Sequence, residues 1–240
     1  VDTEGDRELL AALAEAGIDP NVAAPSAAGI LEDEGATESV PEPDVAPAEP
    51  PPPPRPARRE VVRDRASRKE SLSGEDLTGA GLYGMDLSGT DLRGAVLRRA
   101  DLRGAKLVGA DLSGANLVDA DLTGADAKDA VFRDADFTEA VLNRANLTGA
   151  DLSHALFSYA EMEGAILRSV RASSALFAFA NLTEADLERA QLEGADFTRA
   201  RLHRAVLVEA NLRGATLRKA WGRHLRARDA QCGGHFGAQA

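Results

Sequence analysis

Every fifth residue from Leu72 to Leu217 is apolar, and nothing else in the 240-residue chain limits its fold so sharply. The residue is Leu in most cases, Phe at 132, 137, 157, 177 and 197, Met at 162, and Ala at 127 and 172. Two positions ahead of almost every one stands Ala, and the register runs through about thirty repeats without a gap. A period of five fits neither the 3.6 of an α-helix nor the 2.0 of a flat strand. It suits a chain that turns a corner every five residues, with one large and one small side chain from each segment sharing a narrow lumen. Gly recurs two positions after the centre, at 79, 84, 89, 94, 104, 109, 114, 124, 149, 164, 194 and 214, where such a corner needs an unusual dihedral.

The segments EDLTG, AGLYG, MDLSG, TDLRG, AVLRR, ADLRG, AKLVG, ADLSG and ANLVD follow one another from Glu75, and ADFTE, ANLTG, AEMEG, ADFTR and ANLRG recur further on. This pattern resembles the pentapeptide-repeat family, with its consensus A-(D/N)-L-x-x, over residues 70–220. The resemblance implies an all-β solenoid, a right-handed quadrilateral parallel β-helix with four pentapeptides per coil. It also implies that the central Leu or Phe and the preceding Ala point inward while the other residues point out. Coils about 4.8 Å apart would stack into a rod of roughly 36 Å, seven to eight coils long.

Departures from the consensus behave as packing demands. Val170 is bulky at an Ala position and is followed by the small centre Ala172, while the shrunken centre Ala127 precedes Phe132 and Phe137. With twenty residues per coil, Phe137, Phe157, Phe177 and Phe197 should stack as one ladder inside one side. Such a column is expected to be core rather than a binding box.

Outside the repeat the composition changes abruptly. Residues 1–40 are an acidic segment with a short helix expected over 6–16, where Leu9, Leu10 and Leu13 form a stripe behind a Thr3–Asp6 capping box and ahead of Gly17. Residues 41–56 carry nine of the eleven prolines, including Pro50 to Pro54, and read as an extended polyproline linker. The P-x-x-P-x-R string at Pro50–Arg55 also fits a polyproline ligand, but a plain linker accounts for it more simply. Residues 57–70 are expected to form a basic helical N-cap over the first coil, because an open solenoid end exposes core and sheet edge. Residues 71–220 are the β-helix. Residues 221–240 lose the pattern and are expected to be a C-terminal cap or tail, with Trp221 packed near it. A chain that opens on Val1 rather than Met is expected to be trimmed or part of a longer protein.

The formal charge of −11 is unevenly placed: residues 1–54 hold thirteen acids against Arg7 alone, and 71–220 hold 22 acids against 17 bases. The acidic start lacks the features of a signal peptide, and no stretch has the apolar length of a membrane span. A single cysteine, Cys232, rules out an internal disulfide and fits a reducing compartment, so a bacterial cytoplasmic setting is expected.

Chemistry is sparse. His154, His203, His224 and His235 show no metal spacing within a coil, although His203 and His224 could meet in adjacent coils. Cys232 with His224 and His235 is the sole nucleophile-like grouping, and an inert thiol reads better. The acids at 101, 111, 121 and 151 are expected to solvate the faces. A lumen filled by Leu, Phe and Ala leaves no concave pocket. The sequence therefore predicts no catalytic residue, cofactor or metal site.

The surface carries more signal. Leu156, Tyr159, Leu176, Ala178 and Phe179 stand where other coils put charged or small polar residues, so they predict an exposed apolar patch. Asp136 and Glu139 flank it below, and Asp196 and Arg199 above. Such a patch marks a contact surface for a protein partner or a second copy in a homodimer, unless the N-terminal segment with Leu9, Leu10 and Leu13 folds over it. A basic end, with Arg199, Arg201, Arg204, Arg213, Arg218 and Lys219, could attract phosphate or an acidic protein, but no base-reading motif accompanies it. The expected function is a non-catalytic scaffold that binds a protein through its outer faces. Its Ala/Leu/Pro-rich lead is similar to tails of adaptor proteins in toxin-delivery (type VI secretion) loci. The alternative implied by the family resemblance is a DNA-mimic inhibitor of DNA gyrase that gives quinolone resistance. The arginines that interrupt the acids at 93, 98, 99, 103, 133 and 144 weigh against that alternative. A third reading is a regulatory tail of a larger enzyme.

Overall fold

The computed structural model describes residues 56–232 of the chain. Residues 6–16, His235 and most of the proline-rich stretch lie outside them. From Asp76 onward, the residue before each apolar centre bridges in parallel to the residue twenty further on, from Asp76↔Val96 to Asn211↔Gln231. Five residues per side and twenty per coil make a four-sided rod. Each side contributes one bridge residue per coil, so the sheets are ladders of single bridges, and among the described residues one helix accompanies them.

Two devices turn the corners. The Ala80 N–H donates to the Leu77 carbonyl at 3.0 Å, and the same bond recurs at Ala100–Leu97 and Ala120–Leu117. The third residue of each turn has positive φ, as at Gly79 (64°), and among the described residues 13 glycines and 19 other residues of the coils do so. Positive φ at the third position alone defines a type II turn, which explains the recurrent Gly. The second device is the Asp or Asn before the centre. Its Oδ1 accepts the N–H two residues on, for example Thr78 to Asp76 at 3.0 Å and Thr148 to Asn146 at 3.1 Å. The acids at 101, 111, 121 and 151, expected to solvate the faces, are turn formers of this kind. Asp151 is only 1% exposed, the reverse of a solvating residue.

The lumen is packed. The centres from Leu72 to Leu217 and the alanines beside them are buried, most of them completely. Each buried Leu or Phe contributes about 1.5–3 kcal/mol relative to exposure. Phe137, Phe157, Phe177 and Phe197 stack face to face with centroids 4.7, 5.0 and 5.0 Å apart, and Phe132 meets Phe137 edge-on at 5.2 Å. Val170 and Ala172 are both fully buried, the larger residue filling what the smaller one vacates.

Helix α1 spans Pro56–Ser67. It starts one residue before, and stops three residues short of, the basic segment 57–70 read from the sequence. It stops in a Schellman turn: Lys69 has φ 58°, its N–H donates to the Ala66 carbonyl, and the Glu70 N–H donates to the Arg65 carbonyl at 2.9 Å. Val62 and Ala66 bury themselves in the same core as Leu72 and Leu77. Cations around the helix take up carbonyls at the open edge of the first coil. Arg59 donates to Gly81 O at 2.6 Å and Tyr83 O at 2.9 Å, Lys69 to Ser88 O at 2.6 Å, and Arg65 to Ser71 O. Arg59 also lies 3.9 Å over the Tyr83 ring. The edge is thus met by donors rather than left as a template for another strand.

At the other end the boundary drawn at 220 falls short. Trp221, Arg226 and Gln231 bridge to Arg201, Val206 and Asn211, so the coil continues through the residues expected to form a tail. Gly222 stands at a centre, where an added Cβ would lie 2.7 Å from the Leu202 carbonyl oxygen. The backbone has moved into the space a side chain would fill, so the consensus fails while the winding persists. Leu225 and Cys232 pack against the core, whereas Trp221 lies on an outer face, 37% exposed.

Candidate interaction surface

One corner of the rod runs through positions 79, 99, 119, 139, 159, 179, 199 and 219, between the side centred on Leu77 and that centred on Leu82. In its upper half this corner carries Tyr159 and Phe179 in successive coils. Their rings stack at 4.8 Å and 11°. The Arg199 guanidinium covers the far end of the stack, 5.3 Å from the Phe179 centroid. Beside them Leu156 and Leu176 form a parallel bridge between Asp136 and Asp196. Tyr159 is 55% exposed, Leu176 39% and Phe179 38%, while Leu156 and Ala178 are half-buried. The five apolar residues singled out in the sequence therefore form one surface. Its rings point outward because both residues occupy the left-handed corner, with φ 61° each.

The basic residues are spread more widely. Arg204 pairs with Glu184 at 3.0 Å, and Arg201 lies 5.4 Å over the Trp221 ring. Arg201, Arg213, Arg218 and Lys219 have no carboxylate within ion-pair distance among the described residues. Arginines lower in the rod are mostly engaged: Arg93 on Asp91 at 2.8 Å, Arg103 on Asp101 at 2.7 Å, Arg168 on Asp186 at 2.6 Å and Arg189 on Glu209 at 2.7 Å. The unneutralised charge is thus concentrated around the top of the rod, and Arg199, Arg218 and Lys219 continue the side and corner that hold the patch.

His203 and His224 do meet, with centroids 6.2 Å apart. The His203 Nδ1 accepts the Arg223 N–H at 3.1 Å. Burial, then the charges of Arg204, His224 and Arg223, lowers the His203 pKa and favours the neutral ring. Among the described residues no three His, Cys, Asp or Glu side chains converge as a metal site would require. No helix among them is long and apolar enough to cross a membrane. A surface hollow is lined by Asp76, Thr78, Val96, Arg98 and Arg99.

Sequence reading missed the buried carboxylate Asp151. It accepts from Arg133 Nε at 2.6 Å, Arg171 at 3.4 Å and Ser153 Oγ at 2.7 Å. Burial works against its charge, and the bonds from Ser153 and Arg133 more than offset this, so its pKa is lowered. Its two arginines lie 18 residues before and 20 after it, a diagonal and a vertical neighbour that only the coil geometry brings together.

A family model described as Pentapeptide repeats matches the chain in 8 copies, over residues 76–114, 95–134, 115–153, 135–171, 145–178 and 175–219. Among solved structures the chain is similar to HetL, a pentapeptide repeat protein involved in heterocyst differentiation regulation from the cyanobacterium Nostoc sp. strain PCC 7120. The match is 30% identical, covers 72% of this chain and 93% of HetL, and has a TM-score of 0.35. A pentapeptide repeat protein from the Arabidopsis thaliana thylakoid lumen is 36% identical over 43% of this chain and 68% of its own, with a TM-score of 0.33. A trypsin-treated form of QnrB1, a plasmid-mediated fluoroquinolone resistance protein, is 19% identical over 65% of this chain and 88% of its own, with a TM-score of 0.39. No curated protein is significantly similar in sequence.

Proposed function

The chain belongs to the pentapeptide-repeat family, and from that starting point we propose that it is a non-catalytic scaffold that binds a partner protein at the Leu156–Tyr159–Leu176–Phe179 corner. The observation that carries this reading is the pair of stacked aromatic rings left exposed on a rod whose lumen is already full. Exposed aromatics beside aliphatics, rimmed by charge, have the make-up of a contact core, and aromatic and arginine side chains dominate contact energies. Chemistry on a substrate needs a concavity, and the packed centres supply none along the axis. An adaptor or tail in a multi-part assembly such as toxin delivery would use such a rod as a rigid spacer that presents one corner. DNA mimicry needs a sustained anionic face. Here the acids alternate with arginines that neutralise them, as at Asp91–Arg93 and Asp101–Arg103.

The test is the double substitution Leu176→Asp with Phe179→Asp, both at exposed positions, so that the rod itself should survive. Sedimentation and affinity capture from the native cell should then lose either a self-associated species or a specific prey that the unmodified chain retains. An unchanged sedimentation profile together with an unchanged prey set would refute the assignment.

A further inference from the structure

We infer that this corner accommodates an extended, acidic, proline-rich segment, and that its resident occupant is the chain's own residues 41–54. The inference rests on the preceding reading of the corner as a binding surface and specifies what it binds. Three observations support it.

The first is where the chain meets the rod. Arg59, in the first turn of α1, is fastened to Gly81 and Tyr83, on the side centred on Leu82 and next to the very corner that carries Tyr159. The second is reach. From the coil of Tyr83 to that of Tyr159 is four coils, about 19 Å at strand spacing. A polyproline helix advances about 3.1 Å per residue, so about six residues cover the distance. Counting back from Pro56, the stretch Pro47–Ala48–Glu49–Pro50 then falls across Tyr159, Phe179 and Arg199, with Asp44 and Glu42 beyond it toward Arg218 and Lys219.

The third is chemical match. Exposed aromatic faces are the surface on which polyproline helices dock, because the rings meet prolines whose conformational entropy is already low. Residues 1–54 hold thirteen acids and one base, while Arg199, Arg218 and Lys219 extend the corner with positive charge. The acidic lead and the basic end are thus complementary in sign. An external partner of this corner must displace the segment or carry the same chemistry.

Cysteine pairing in the full chain tests this, in a Cys232→Ser background. Ala48→Cys is combined either with Ser158→Cys, beside Tyr159, or with Ser169→Cys on the diametrically opposite corner of the same coil. Under oxidised glutathione, the intramolecular disulfide should form about ten-fold faster for the 48/158 pair, because docking raises the effective concentration above that of a loose tether. Phe179→Asp should abolish that advantage, as should an excess of a synthetic peptide of residues 41–55. Equal rates for the two pairs would overturn the inference, as would a 48/158 product found only between chains. Equal rates together with loss of prey on Leu176→Asp/Phe179→Asp would sink the inference and leave the partner reading standing. A fast 48/158 pair with unchanged prey would do the reverse.

Discussion

Phe177 is the most informative core residue to remove, because the ladder fixes what its loss should cost. It is fully buried and stacks on Phe157 and on Phe197, each with centroids 5.0 Å away. Phe197 stacks on Phe177 alone, since the next centre in that column is Leu217. Phe→Ala in a packed core costs about 3–5 kcal/mol through lost transfer and an unfilled cavity. Leu, the usual centre, keeps most of the volume, so Phe177→Leu loses chiefly two ring contacts at about 1 kcal/mol each. Phe197→Leu loses only one. We expect urea unfolding monitored by far-ultraviolet circular dichroism to place Phe177→Ala lowest, Phe177→Leu about 2 kcal/mol below the parent and Phe197→Leu about 1 kcal/mol below it. Phe197→Leu costing as much as Phe177→Leu, or Phe177→Ala costing under about 1 kcal/mol, would refute stacked packing along the lumen.

Asp151→Asn should cost about 1–2 kcal/mol and Asp151→Ala about 3 kcal/mol in the same assay. Asn can still accept the turn N–H, as it does at Asn146 and Asn181, but cannot form charged bonds with Arg133 and Arg171. The Asp151 pKa is lowered on folding, as are those of Asp86, Asp91 and Asp101, so their stabilisation is present above the unfolded carboxylate range. Stability should therefore fall as pH drops below about 4, and less steeply in Asp151→Asn. In a gyrase supercoiling assay the purified protein should leave the reaction unchanged, and inhibition at low concentration would favour a DNA-mimic role over partner binding.

The inward half of the molecule was legible in the sequence because a narrow lumen dictates it. Only one large side chain fits beside one Ala, so the period of five, the Phe ladder and the Val170–Ala172 exchange all appear as residue choices. The outward half follows a different rule. An arginine one place after a centre can reach a carboxylate two residues back, as Arg93 does, or eighteen ahead, as Arg133 and Arg168 do. One at the corner reaches twenty away, as Arg189 does. The linear pattern does not select among these. Gly222 hid the last coil for a related reason: the winding there is held by backbone bonds to Trp221 and Arg223, which leave no trace in residue type. The patch could be read because its residues break the polar habit of their positions. The edge carbonyls held by Arg59, Arg65 and Lys69 could not, since only the placement of α1 brings them within reach.

Corner energetics separate the aromatic pair from the rest of the rod. A residue with a side chain in the left-handed region is disfavoured by roughly 1–2 kcal/mol, and 13 corners escape this by using Gly. Where other residues occupy it, their side chains are polar. Several recover energy in ion pairs between coils, as Arg99 does with Asp119, Arg189 with Glu209 and Arg204 with Glu184. Tyr159 and Phe179 bear the same backbone cost and gain one ring stack of about 0.5–1.5 kcal/mol, while leaving apolar surface in water. Gly would serve the turn at least as well at both positions. The fold therefore gives no reason to keep rings there, whereas a ligand that covers them gives one. On the reading proposed above, these two residues, rather than the larger and better-packed column of Phe inside, are where a partner would bind.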